Sequence, residues 1–322
     1  MPLVDMPLEQ LFQYEGANEC PAEFDAYWDK AIAEMEALGT DCELIPAAFQ
    51  APGAKCYDLY FTGVGGSRVH AIYLRPDTQQ KKHPAVLMFH GYSSNCGDFA
   101  PKLSWVASGF CCAAMDCRGQ GGKSSDCTAV QGNTLQGHII RGLDDADTSK
   151  LYYRSVYLDA AQLARIIMSL NEVDETRVGA LGGSQGGGLS LACAALTPSL
   201  NRAAPQMPFL CDYRRVWEMD LAKGAYEELT LYFRRFDPRH QREKEVFQKL
   251  GYVDVQHLAP RIQCAIRMYT GLMDTVCPPS TQFAAYNKIK SEKNVVIYPD
   301  YAHEAYPGHE DDAMQFMLEM TR

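Results

Sequence analysis

The sequence predicts an α/β fold with a mostly parallel, doubly wound sheet, antiparallel strands on its N-terminal side and an inserted helical cap. The first observation is a set of short, predominantly apolar runs typical of buried parallel strands, which cover residues 85–89, 110–115, 178–181, 265–269 and 295–298. The second is a helical repeat between them, in which apolar residues recur on one helix face from 156 to 170. Strands that alternate with helices predict a doubly wound sheet.

The residues before these runs predict a helix and then a hairpin. Aromatic and aliphatic residues recur at helical spacing from Pro21 to about Leu38, with the proline in the first turn. Two β-rich runs, residues 56–61 and 69–74, flank a glycine-rich turn. This pattern is typical of a hairpin, which we expect at the antiparallel edge of the sheet.

A different kind of segment lies between the third and fourth apolar runs. Residues 205–260 are rich in Arg, Glu, Tyr and Phe, and they contain no obvious strand. We interpret them as a helical insertion, the cap. We therefore expect a single domain over residues 1–322, with an N-terminal helical extension over about residues 1–50.

Composition and charge argue against several classes of protein. The chain has 322 residues, of which 47% are hydrophobic, and its formal net charge is -10. An acidic chain without clustered Lys and Arg does not predict a nucleic-acid partner. No run approaches the roughly 18 apolar residues of a membrane-spanning helix, and the N-terminus lacks the layout of a signal peptide. We expect no membrane association and a cytoplasmic protein.

The twelve cysteines do not predict a metal site. Most are scattered singly, and the closest grouping is Cys111, Cys112 and Cys117 in a strand-like run. Adjacent residues of a strand point to opposite faces, and a zinc site needs paired spacing. We expect free, buried thiols, no metal and no cofactor.

The sharpest motif is Gly182-Gly183-Ser184-Gln185-Gly186, a G-x-S-x-G pattern between a strand-like run and a helix-competent run. In a nucleophile elbow the serine occupies a strained turn between strand and helix. Gly182 and Gly186 remove the Cβ atoms that would collide there. The context predicts Ser184 as a nucleophile, and the alternative is a flexible glycine turn with an incidental serine.

A serine hydroxyl needs a base, and the base needs a carboxylate that orients it. His303 follows the last strand-like run, and Asp274 follows the run that ends at residue 269. The chain order Ser184, Asp274, His303 is the order of the α/β-hydrolase fold. His309 is the rival base, and an aspartate at the end of a strand is also a common turn residue.

Hydrolysis of an ester also needs two backbone N–H donors for the oxyanion. The fold supplies one from the residue after the nucleophile and one from the loop after an early strand, which predicts Gln185 and Tyr92. An ordinary strand-ending turn is the alternative for the loop of Tyr92. Arg118 follows another strand-like run, and we interpret it as a structural clamp that fixes backbone carbonyls, with direct substrate binding as the alternative.

These motifs together resemble the acetyl xylan esterases and cephalosporin-C deacetylases of carbohydrate esterase family seven. The signature elements are Arg-Gly-Gln-Gly at 118–121, Gly-Gly-Ser-Gln-Gly-Gly at 182–187 and His303-Glu304, and supporting stretches are residues 152–160, 233–235 and 274–281. The resemblance runs from about Phe24 to the C-terminus. Lys123 departs from the small residue expected after the Arg118 motif.

The resemblance implies a serine esterase that removes acetyl groups from small acetylated sugars and related esters through an acyl-enzyme on Ser184. It also implies a homo-hexamer whose active sites open toward an internal cavity. The aromatic residues of the predicted hairpin offer weaker support for self-association, because exposed sheet edges are commonly covered by a partner chain.

Two alternatives stay open at this point. One is another acyl hydrolase of the same fold, such as a peptidase or a thioesterase, because the triad serves many chemistries. The other is a non-catalytic protein that uses the fold as a ligand pocket. Labelling of Ser184 by a fluorophosphonate separates an enzyme from a binding protein.

Overall fold

The computed structural model describes residues 4–79, 81–135 and 137–321, and it joins nine strands of these residues in one sheet of order β1-β2-β3-β5-β4-β6-β7-β8-β9. The strands are β1 Cys42–Pro46, β2 Ala54–Thr62, β3 Arg68–Pro76, β4 His83–Phe89, β5 Cys111–Met115, β6 Val173–Gly183, β7 Arg202–Gln206, β8 Ala265–Gly271 and β9 Lys293–Tyr298. The α-helices are α1 Leu8–Leu11, α2 Phe24–Glu36, α3 Leu103–Ala107, α4 Tyr152–Ser169, α5 Gln185–Leu196, α6 Tyr213–Glu218, α7 Glu227–Phe236, α8 Glu243–Leu250, α9 Val255–Leu258, α10 Pro279–Lys288 and α11 His309–Leu318.

The sheet has an antiparallel part and a parallel part. In the antiparallel part, β1 pairs with β2, β2 with β3 and β3 with β5. In the parallel part, neighbouring strands in the order β5, β4, β6, β7, β8 and β9 pair parallel. Helices α4 and α5 are buried along nearly their whole length against this sheet. The predicted α/β class, with antiparallel strands on the N-terminal side, is therefore confirmed.

Strand β1 corrects two expectations about the N-terminal region. It lies within the first 50 residues, where the sequence predicted only helix, and it pairs with β2 in the register Cys42↔Phe61. The predicted hairpin, β2 and β3, is therefore covered by β1 and is not the edge of the sheet. Phe61 and Tyr73 of the hairpin are buried, so they offer no apolar surface to a partner chain.

Strand β7 corrects the start of the predicted insertion. Residues 202–206 were not recognised as a strand, and the insertion was expected to begin at Pro205, which lies inside β7. A proline cannot donate a hydrogen bond to a ladder. The structure accommodates Pro205 because the β7–β8 ladder joins Arg202, Ala203 and Gln206 of β7 and passes over the proline.

Four helices, α6 to α9, form the cap between β7 and β8. The cap is thus helical after its first residues, and it has an aromatic interior that includes the fully buried Tyr213, Tyr226 and Phe233. The rings of Trp217 and Phe233 lie 4.7 Å apart between centroids. These contacts join the cap helices to one another and to the main core.

The predicted N-terminal helix is α2, which packs on the side of the domain. The ring of Trp28 stacks on Tyr157 of α4, with centroids 6.0 Å apart, and its indole N–H donates to the carbonyl of Tyr252 at 2.9 Å. Helix α2 therefore ties α4 to the end of the cap.

Candidate active site

Four strand ends bring the predicted site residues to one edge of the sheet. Tyr92 follows β4, Ser184 follows β6, Asp274 follows β8 and His303 follows β9. Because these strands are parallel, their carboxyl ends meet at the same edge, where open α/β sheets form their sites. The topology therefore places residues from distant parts of the chain next to each other.

Ser184 occupies a strained turn between β6 and α5. Its backbone has φ 56° and ψ -118°, a conformation that residues with a side chain rarely adopt. The turn is held by hydrogen bonds from the Ser184 N–H to the carbonyl of Gln206 and from the Phe209 N–H to the carbonyl of Ser184, both 3.0 Å. This is the geometry of a nucleophile elbow.

The two glycines that flank Ser184 allow the elbow to approach strand β4. A Cβ on Gly182 would lie 2.5 Å from the carbonyl oxygen of Phe89, and a Cβ on Gly186 would lie 2.0 Å from the same oxygen. Both distances are far inside van der Waals contact. The steric demand anticipated from the sequence is thus real, and it comes from the neighbouring strand.

The structure brings Ser184, His303 and Asp274 into one hydrogen-bonded chain. His303 Nε2 lies 3.0 Å from Ser184 Oγ, and His303 Nδ1 lies 2.8 Å from Asp274 Oδ2. The distances are those of a nucleophile, a base and a carboxylate that orients the base. His309, the rival base, begins α11 and has its Nδ1 2.7 Å from the carbonyl of Tyr306.

Asp274 is fully buried and rigidly held. Its Oδ1 accepts hydrogen bonds from the N–H groups of Val276 and Cys277, both at 2.8 Å. Its Oδ2 faces His303 and also lies 3.5 Å from Nε2 of Gln282 on α10. The two backbone donors fix the plane of the carboxyl group, so Oδ2 points at the imidazole.

The predicted oxyanion donors are free to receive a ligand. Gln185 is the first residue of α5, so its N–H has no partner within the helix. Tyr92 lies in the turn after β4, and within residues 4–79, 81–135 and 137–321 no backbone group accepts its N–H. Unpaired N–H groups beside a nucleophile are what an oxyanion site requires.

Side chains that the sequence analysis did not single out hold these donors in place. The buried Gln185 side chain extends toward the carbonyls of His90 and Gly91, at 3.4 and 3.5 Å. Gln120 donates to Gln185 Oε1 at 2.8 Å and accepts from the Ser93 N–H at 2.9 Å. Gln120, which lies in the Arg118 motif, thus joins the two halves of the candidate oxyanion site.

Arg118 lies in the interior and contacts a carboxylate. Its guanidinium donates to both oxygens of Asp159 at 2.7 Å and to one carbonyl, that of Val64, at 3.0 Å. The expected fork onto several carbonyls is therefore a bidentate ion pair with α4 plus one carbonyl. Lys123 does not disturb this loop, because its side chain is exposed and its Nζ lies 2.8 Å from Asp58.

Two groups of described residues bring potential metal ligands within 4.8 Å of one another: His70, Cys96 and Asp116, and Asp274, Cys277 and His303. In the first, His70 Nδ1 already lies 2.7 Å from Asp116 Oδ2. The second shares its carboxylate and imidazole with the Ser184 chain. That the protein uses no metal stays a prediction.

The acetyl xylan esterase (AXE1) family model matches residues 1–320 of the chain. The chain belongs to the acetyl xylan esterase family. Among solved structures, acetyl xylan esterase 1 from Thermoanaerobacterium sp. JW/SL YS485 is 58% identical, with TM-score 0.97 over 99% of this chain and 100% of that one. The acetyl xylan esterase from Paenibacillus sp. R4 is 36% identical, with TM-score 0.93 over 98% and 99% of the two chains.

This acetyl xylan esterase family member also matches a curated relative that is longer than the chain itself. The acetyl esterase Axe7A of Xylanibacter ruminicola is 28% identical over 292 residues, which are 88% of this chain and 63% of Axe7A. The chain thus spans less than two thirds of the length of that relative. The α/β-hydrolase fold predicted for this family member is confirmed by its topology and its structural relatives. None of its described helices is long and apolar enough to cross a bilayer.

Proposed function

We propose that this chain is a serine esterase that removes acetyl groups from small acetylated sugars and related esters through an acyl-enzyme on Ser184. The observation that carries the proposal is the hydrogen-bonded chain from Ser184 through His303 to Asp274 at the elbow, with distances of 3.0 and 2.8 Å. Membership of the acetyl xylan esterase family favours acetyl esters over the peptide and thioester alternatives.

In the proposed acylation step, Ser184 Oγ attacks the acetyl carbonyl carbon while its proton passes to His303 Nε2. Asp274 accepts a hydrogen bond from the Nδ1–H group of His303, which keeps Nε2 free to act as base and stabilises the imidazolium. The carbonyl oxygen becomes an oxyanion and receives the N–H groups of Tyr92 and Gln185. When the tetrahedral intermediate collapses, the bond from the acetyl carbon to the sugar oxygen breaks, and His303 gives its proton to that oxygen, which leaves as the sugar hydroxyl.

In the deacylation step, water takes the place of the sugar hydroxyl. His303 removes a proton from the water as the oxygen attacks the acetyl carbon, and the same two N–H groups receive the second oxyanion. Collapse of this intermediate breaks the bond to Ser184 Oγ, and His303 gives the proton back to the serine. The products are acetate and a free enzyme ready for the next cycle.

The proposal extends to finer properties. Resemblance to family seven supports cephalosporin C, with its acetoxy group, as a second substrate type, and a homo-hexamer as the assembly. All twelve cysteines are free thiols, which supports a reducing compartment such as the cytoplasm. Light scattering that gives the mass of one chain across micromolar concentrations would reject the hexamer, and cell fractionation tests the compartment.

Substitution of the nucleophile and the base tests the function directly. Ser184→Ala and His303→Ala should each lower kcat for p-nitrophenyl acetate by about 10³-fold or more, because the triad acts as a unit. His309→Ala is the matched control and should retain wild-type turnover. Wild-type rates on the acetate, butyrate and octanoate esters and on a peptide substrate then establish the acyl preference. A Ser184→Ala variant with a tenth of the wild-type rate would overturn the assignment.

A further inference from the structure

Glu228 is a buried carboxylate of the cap that contacts the candidate oxyanion loop. It is the second residue of α7, and it is 4% exposed. Its Oε1 accepts the hydroxyl of Tyr92 at 2.9 Å and two backbone N–H groups at 2.6 and 2.7 Å, from His138 and Ile139. Its Oε2 accepts the N–H of Ile140 at 3.3 Å.

The backbone of residues 137–140 wraps closely around this carboxylate. A Cβ on Gly137 would lie 2.1 Å from Glu228 Cδ, so a larger residue would be displaced by it. A buried charge needs several hydrogen bonds to offset the loss of water. Burial raises the pKa of Glu228, while the surrounding donors oppose that shift. These backbone donors and the Tyr92 hydroxyl therefore converge on one acceptor, the Glu228 carboxylate.

The Tyr92 side chain links this carboxylate to the candidate oxyanion donor. Its ring packs edge-on against Phe209, with centroids 5.6 Å apart, and lies 5.1 Å from the ring of His138. Burial, and then the charge of Glu228, raise the pKa of Tyr92, so its hydroxyl remains a donor. A tyrosine side chain has only two rotatable bonds, so fixing the hydroxyl and the ring restricts the position of the Tyr92 backbone.

The opposite side of the same loop is held from the sheet. Gln185 contacts the carbonyls before Tyr92, and Gln120 accepts the N–H of Ser93 after it. The Tyr92 peptide is thus held by the sheet side through its neighbours and by the cap through its own side chain. A partly open cleft of about 280 Å³ adjoins the cap contact and is lined by Tyr92, Ser93 and Glu228 among others.

We propose that Glu228 is a positioning residue for catalysis, which holds the Tyr92 N–H at the oxyanion through the Tyr92 hydroxyl. This inference rests on the proposed esterase function, because it assigns Glu228 a task in stabilising the oxyanion of that reaction. It makes the cap a part of the catalytic apparatus as well as a cover. A small displacement of an oxyanion donor is costly, since a misplacement of about 1 Å can lower a rate by about 10²-fold.

Four variants of the full chain test the inference with p-nitrophenyl acetate. Tyr92→Phe removes the hydroxyl and should lower kcat roughly tenfold while KM stays within about twofold, because the hydroxyl is already engaged by Glu228 Oε1 and the His138 N–H. Glu228→Ala should lower kcat by at least as much, and Glu228→Gln, which keeps an acceptor for the hydroxyl, should restore most of it. Glu227→Ala, at the exposed neighbouring position, is the matched control and should equal the wild type.

The double variant Glu228→Ala/Tyr92→Phe separates positioning from a purely structural role. If Glu228 acts through Tyr92, the double variant should be no slower than Glu228→Ala, a non-additive result. Multiplied losses, or a Tyr92→Phe variant within twofold of the wild-type kcat, would overturn the inference. Tyr92→Phe decides the question alone if Glu228→Ala fails to fold. A wild-type enzyme without acetyl esterase activity would overturn the proposed function and this inference with it, whereas an active wild type matched by Tyr92→Phe would overturn only the inference.

Discussion

Replacement of Asp274 by asparagine probes how the carboxylate controls the imidazole. The oxygen at the Oδ1 position accepts two backbone N–H groups, those of Val276 and Cys277. Asparagine must therefore keep its carbonyl oxygen there and place its NH2 group at the Oδ2 position, which lies 2.8 Å from His303 Nδ1. The Nδ1 atom would then accept a hydrogen bond, and the proton would move to Nε2, where it faces Ser184 and blocks base catalysis.

The size of the effect follows from the cost of the opposite amide orientation. Turning the amide over would restore the right tautomer, but it would leave two buried N–H donors unpaired, at about 1–3 kcal/mol each. Two such donors cost about 2–6 kcal/mol, which corresponds to roughly 30-fold to 10⁴-fold in rate at about 1.4 kcal/mol per tenfold. Loss of the negative charge that stabilises the imidazolium adds to this cost. We therefore expect a loss at the upper end of this range, with kcat about 10⁴-fold below the wild type.

The assay compares steady-state kcat for p-nitrophenyl acetate in Asp274→Asn and wild type, with thermal unfolding as a check that the variant folds. Asp300→Asn provides the matched control, because Asp300 is exposed and lies three residues before His303. It should retain wild-type turnover. A folded Asp274→Asn enzyme with kcat within tenfold of the wild type would refute the tautomer argument.

Two further outcomes are expected from the geometry. Gly186→Ala should lower the free energy of unfolding by about 1–3 kcal/mol, because its Cβ would lie 2.0 Å from the Phe89 carbonyl oxygen. Gly91→Ala, whose Cβ meets nothing within 4 Å, should have little effect in the same denaturant titration. Burial lowers the pKa of His138 to about 4, below the histidine value of 6.5, so the unfolded chain binds the proton first as pH falls. Stability should therefore decrease between about pH 6.5 and pH 4, and denaturant midpoints across that range should show a smaller decrease for His138→Phe.

Most of the sheet could be predicted from the sequence because most of its buried strands contain a short, predominantly apolar run. Strands β1 and β7 could not, since neither carries such a run. Residues 202–206 contain small side chains and Pro205, and they form a strand because β6 and β8 lie on either side. Three of residues 42–46 are exposed, and one of the three is Pro46. This segment forms a strand because it pairs with β2. In both cases the partner strands, and not local preference, decide the conformation.

The residues of the candidate site could likewise be predicted only in part. Ser184, Asp274 and His303 each follow a recognisable strand, so their meeting at one edge could be inferred from chain order. Glu228 carries no such signal, because it contacts Tyr92 from 136 residues away and lies outside every motif that the sequence analysis recognised. Asp159 likewise gave no sign that it would bind the Arg118 guanidinium. Charged partners inside a domain are specified by its three-dimensional packing, which a single sequence does not reveal.

The backbone conformation of Ser184 costs the protein stability at the residue on which its proposed reactivity depends. At φ 56° and ψ -118° the serine holds a shape that glycine adopts with little cost, and such strain in other residues amounts to about 1–3 kcal/mol. A chain with glycine at this position would relax the turn and resist heat better, although it could no longer form an acyl-enzyme. Laboratory selection for heat resistance alone would therefore tend to discard the nucleophile, and only a simultaneous demand for ester turnover would retain it.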